Sequence, residues 1–205
     1  MYKFGQIEIA SKEFNSVHQI QKDVDAEKIR VSEGVVANRC DTRYTIGYEV
    51  ELEEIVPLYI KTPNSCFSSG VSWYNESSPW KMGFNVSSDE AWVKRYDEIW
   101  ATVEELLAKK LTGKPLRNGY MNAKLITWDG PIRTGFRGTS REPEDIGFCE
   151  ATGFLKLGSV YRQGWNYHLQ VFLKECIYKE KDVIFKSLLS DDDDGGYDTV
   201  YRGGR

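Results

Sequence analysis

Little of the usual catalytic vocabulary is present in this chain of 205 residues. It has two histidines, His18 and His168, and four scattered cysteines, Cys40, Cys66, Cys149 and Cys176, none in a Cys-x-x-Cys pair. That supply argues against a zinc site, and the thiols read as reduced and half-buried. No G-x-S-x-G, phosphate-loop glycine pattern or H-E-x-x-H occurs, and Glu49, Glu51, Glu53 and Glu54 read as a solvated strand face. The expectation is a protein that is not an enzyme and uses no metal or cofactor; the scattered Asp and Glu leave a metal-dependent nuclease as the one catalytic alternative. Long apolar runs are also missing. Nothing approaches the ~20 residues of a membrane-spanning helix, and the start "MYKFGQIEIASKEF" lacks a signal-peptide apolar region. An intracellular protein, in the cytoplasm or nucleus of a host cell, is expected, with no membrane segment.

The net charge of −4 is unevenly spread. Lys114 to Lys186 holds 12 Lys and Arg against 8 Asp and Glu, whereas Ser187 to Arg205 holds five Asp against two Arg. A basic section followed by an acidic tail is a pattern that phosphate binding would explain.

Local patterning is mostly β. Tyr44, Ile46, Tyr48 and Val50 alternate, as do Leu169, Val171 and Leu173, and "GFLKLGSVYRQGWNYHLQVFLKECIY" reads as a hairpin. One arm, Gly153 to Arg162, pairs with the other, Tyr167 to Tyr178, across Gln163 to Asn166. Phase slips near Lys174 and Glu175, which predicts a β-bulge. A single long helix is expected over about 88–112, capped by Ser87 or Ser88, carrying an apolar stripe from Trp92 through Leu106 and Leu107 to Leu111, and stopped at Gly113. The sum is a mainly β chain of six to eight short strands: an antiparallel barrel or sandwich with one packed helix, over residues 1–186, followed by a disordered acidic tail over 187–205.

Three residue groups could hold a ligand. The hairpin gathers Lys156, Tyr161, Arg162, Trp165, Tyr167 and His168; a loop group has Phe67, Trp73, Tyr74 and Trp80 with Lys61 and Lys81; a glycine-rich stretch offers Arg133 and Arg137. Aromatic faces beside cations are what single-stranded nucleic acid binding uses, because bases stack while Lys and Arg hold phosphate. The competing reading is a β-sheet whose Tyr and Trp close one end of the core.

The order "LYIKTP", helix, "AKLITW", closing hairpin and acidic tail resembles the single-stranded DNA-binding proteins of podophages and of large eukaryotic DNA viruses. Lys156, Tyr161 and Trp165 stand at the matching places of the hairpin, and Ile60 to Pro63 is a second, shorter match. The resemblance spans Leu58 to the carboxyl terminus. It implies an OB-like barrel closed by the hairpin, acting in viral DNA replication or recombination. Phosphate would lie on Lys61, Arg133, Arg137, Lys156 and Arg162, and bases on Trp73, Trp80, Tyr161, Trp165 and Tyr167. Replication proteins are then expected to dock on the tail, 190–201; homodimer formation is left open. The tail departs from that pattern, since Tyr197 and Tyr201 follow the acidic run and the chain ends Arg202 to Arg205. The alternative is a viral structural or protein-interaction β-sandwich without nucleic-acid binding.

Overall fold

Alternating polar and apolar residues build eleven strands in the computed structural model, which describes residues 24–37, 41–50, 54–73, 79–127 and 131–180. In chain order they are β1 (Ile29–Val31), β2 (Val35–Ala37), β3 (Asp41–Glu49), β4 (Ile55–Lys61), β5 (Cys66–Ser72) and β6 (Lys81–Asn85). Helix α1 (Glu90–Leu107) follows, then β7 (Leu116–Arg117), β8 (Tyr120–Leu125), β9 (Gly135–Arg137), β10 (Cys149–Gln163) and β11 (Asn166–Glu180). The tail and its expected partners, the boundary at 186, Cys40 and His18 lie outside the described residues.

Five strands close on themselves. β5 pairs with β6, β6 with β8, β8 with β11, β11 with β10, and β10 returns to β5. β10 is long enough to belong to a second layer as well, pairing next with β4 and then with β3, which carries β1 and β2. The expected all-antiparallel arrangement is corrected at one strand: β8 and β9 both run parallel to β11. A parallel pair needs a long crossover, and here the path from β8 to β11 runs through β9, the 3-10 turn Pro143–Asp145 and β10.

The inward residues of this ring form the core. Met82, Phe84, Met121, Ala123, Leu125, Leu155, Leu157, Val171 and Leu173 are all buried. The bulge expected near Lys174 is present: Phe154 faces Glu175 and Leu155 faces Leu173, leaving Lys174 unpaired in register. It turns Cys176 and Tyr178 inward despite their changed parity. A second irregularity falls between Leu157 and Ser159. Cys66, Cys149 and Cys176 are free thiols, and all are buried rather than half-buried.

The helix is shorter than expected at both ends. Asp89, not Ser87 or Ser88, caps it, its Oδ1 accepting from the Trp92 N–H at 2.9 Å; Ser87 bonds to Asn85 instead. The helix stops at Ala108, whose φ of 52° is left-handed and whose N–H reaches back to the carbonyls of Glu104 and Glu105. The Leu111 N–H then donates to Glu104 Oε1, and Leu111 bridges to Tyr167, so the apolar residues after 107 leave the helix to join β11. Tyr96, Ile99, Trp100 and Val103 are buried, while Leu106 is exposed. Among the described residues no helix is long and apolar enough to cross a membrane.

Candidate nucleic-acid interface

The parity that sends Met82, Ala123, Leu125, Val171 and Leu173 inward sends their neighbours to the outer face of the ring. Lys81 and Lys124 stand directly opposite each other on β6 and β8, and Lys124 is in register with Phe172 on β11. No carboxylate pairs with Lys81 or Lys124 among the described residues. Burial, and secondly the Lys81 charge, hold the Lys124 ammonium below the ordinary lysine value. Its Nζ lies 5.9 Å from the centre of the Tyr161 ring, near the outer limit for a cation over an aromatic face. Tyr161 stacks in turn on His168, centres 5.1 Å apart, and His168 Nδ1 is 3.2 Å from Thr112 Oγ1.

Exposed tryptophans flank this face along the strand direction. At one end Trp73 and Trp80 form a tilted pair 5.5 Å apart; Trp80 leans on the core, and Trp73 is 50% exposed. The Leu125 N–H donates to the Trp80 carbonyl, tying this pair to the end of β8. At the other end β10 and β11 turn through Gly164 and Trp165. Gly164 has a φ of +60°, as the first central residue of a II′ hairpin turn requires. That turn leaves Trp165 at 91% exposure, with the Arg162 guanidinium 5.9 Å from its ring and held there by a bond from Nε to the Gly164 carbonyl.

The sequence-expected residues therefore divide. Tyr161 lies on the outer face and Trp165 at the hairpin end beyond it, while Trp73 and Trp80 lie at the opposite end; Arg162 is in register with Tyr167 and leaves the strand on that residue's side, reaching Trp165 around the turn. Arg133 is exposed near the latter, its N–H bonded to the Ile126 carbonyl. Lys156 and Lys61 also face outward, over the rings of Tyr59 and Phe154 at 5.8 and 5.9 Å. Those two rings are buried, so a base cannot reach them. Lys61 lines a cleft of about 290 Å³ beside the start of α1, together with Trp92 and Tyr96.

Two of the expected residues also have partners within the protein. Tyr167 packs partly onto the core and tilts against Tyr44, because the strand alternation that buries Leu169 and Val171 gives Tyr167 the same face. Arg137 is half-exposed and makes an ion pair to Glu175, a carboxylate almost wholly buried at the bulge. Lys124 and Phe172 were missed in the sequence. Their signal was parity: an aromatic between Val171 and Leu173 must point outward, as must a lysine between Ala123 and Leu125.

Among the described residues no three His, Cys, Asp or Glu side chains are grouped to hold a metal ion. No protein-family model matches the chain, and no curated protein matches it.

Proposed function

We propose that this chain is a non-enzymatic OB-type protein that binds single-stranded DNA with little sequence preference, in viral DNA replication or recombination. The observation that carries the reading is the outer face itself: Lys81 and Lys124 side by side with no carboxylate partner among the described residues, Tyr161 beneath Lys124, and an exposed tryptophan beyond each end. Cations interleaved with accessible rings supply phosphate contacts and stacking platforms without reading base edges. The strand order gives further support. Counted in chain order, β5, β6, β8, β10 and β11 run first-second-third-fifth-fourth and close the fourth on the first, with one parallel pair between third and fifth. This closed five-strand order supports the OB-type reading, in which the second and third strands and the first-second and fourth-fifth loops bind oligonucleotides. Trp73 and Trp80 flank the first of those loops, and Trp165 sits in the second.

One observation favours the alternative of a protein-interaction module. Phe67 and Phe148 stack 5.7 Å apart on the surface, and Phe148 is 62% exposed. Titration of fluorescent oligo-dT and of duplex DNA at two salt concentrations, with and without magnesium, separates the readings. Single-strand binding should weaken with salt by a slope near −0.7 for each neutralised phosphate. Absence of oligo-dT binding at low salt, for the whole chain and for a chain ended after Leu189, sinks the proposal, and magnesium-dependent loss of the oligonucleotide would make the protein a nuclease.

A further inference from the structure

Resting on the reading just given, we infer that Lys81 and Lys124 form a two-ammonium clamp on one phosphate, and that Phe172 carries the base attached to it. The outer face thus contains a preformed site for a single nucleotide unit.

The clamp follows from register. Residues directly opposite on antiparallel strands have Cβ atoms about 4.5–5.5 Å apart, so two lysine stems leaving the same face can bring both ammonium groups onto one anion. Like charges placed opposite each other destabilise a sheet. Here the pair is retained without a carboxylate among the described residues, and Lys124 is additionally half-buried. A phosphate between the two ammonium groups removes the repulsion and restores the solvation that Lys124 has lost. The depressed ammonium of Lys124 has the same cause.

The base platform also follows from register. Phe172 is the next residue in the row after Lys124, one strand spacing away, about 4.8 Å. Its ring is seated on Gly158: a β-carbon there would lie 3.2 Å from Phe172 Cδ2 and 3.3 Å from Cε2. The missing side chain leaves room for the ring, which is only partly buried, to rest on the backbone there. No donor or acceptor of Phe172 can discriminate between bases, so the unit is held by its charge and its flatness.

The test is a double-mutant cycle on oligo-dT affinity across a salt series, with Lys81→Gln, Lys124→Gln and the pair. If both lysines hold one phosphate, each single variant keeps the wild-type salt slope, because the other ammonium still neutralises that phosphate. The double variant should lose about 0.7 from the slope. Two lysines on separate phosphates would instead lower the slope by about 0.7 each and about 1.4 together, which overturns the clamp while leaving single-strand binding intact. Unchanged affinity in the double variant overturns it equally. Phe172→Leu should weaken binding roughly 5- to 150-fold with the slope unchanged, and Phe172→Tyr should restore it. A Leu variant that melts normally and binds like wild type removes Phe172 from the site. If the unmodified protein fails to bind oligo-dT, the parent reading falls rather than this one alone.

Discussion

The ring of Phe84 lies against the α-carbon of Gly153, so closely that a methyl at residue 153 would sit 2.7 Å from Phe84 Cζ. Phe84 is wholly buried on β6, and Gly153 belongs to β10, so this contact crosses the interior of the closed ring of strands. Gly153→Ala should cost about 1–3 kcal/mol through overpacking. Denaturant unfolding measures it, and pairing the change with Phe84→Leu should recover part of the loss. An unaltered midpoint for the single variant would mean that the ring interior yields.

Glu175 is buried with Arg137 as its ionic partner, and Arg137 is 48% exposed. Removing one member of a buried pair strands the other, at about 3–5 kcal/mol. Solvent access to the guanidinium lowers that figure, and Arg137→Ala should cost about 2 kcal/mol, less when Glu175→Gln accompanies it. Oligo-dT affinity should be unaffected at temperatures where the variant is folded; a marked drop would return Arg137 to the binding surface.

Trp165 offers the opposite combination. Its ring is almost entirely in solvent, so Trp165→Ala should leave the melting temperature within about 1 °C while weakening oligo-dT binding by about 1–3 kcal/mol. Lost stability with unchanged affinity would show that the ring packs in solution.

Burial raises the thiol pKa of Cys176 and, less strongly, of Cys66. An unfolded thiol ionises above about pH 8.5. The folded protein keeps its proton there, so the native state binds more protons than the unfolded state and stability must fall as pH rises. Urea midpoints should therefore be level below about pH 8 and decline progressively as pH rises above about 8.5. Cys176→Ala, though less stable overall, should flatten that decline; an unchanged slope would assign it to other groups.

Local signals and long-range ones differ in what the sequence makes legible. The hairpin and its bulge were legible because alternation is a local signal, and the slip at Lys174 announces itself within four residues. The helix ends were not. Its apolar spacing continues through Leu106 and Leu111 although the chain leaves the helix at Ala108, and an alanine in a left-handed cap carries no sequence signature. Likewise Lys81, Lys124 and Phe172 are separated by tens of residues, and only pairing across β6, β8 and β11 makes them neighbours. The ion pair of Arg137 is not legible in the sequence because its partner, Glu175, lies 38 residues on and is turned inward by the bulge.

Closure of the ring by β10 and β11 has a consequence for synthesis. The strands β5, β6 and β8 leave the ribosome before the residues that complete them, and until Cys149 to Glu180 have followed, the inner faces of Met82, Phe84 and Met121 have no partner layer. The nascent chain is thus at its stickiest late in translation, when partly built sheets with unpaired edges aggregate most readily. A message cut just before Cys149 should yield insoluble product, whereas one cut after Glu180 can still close its barrel.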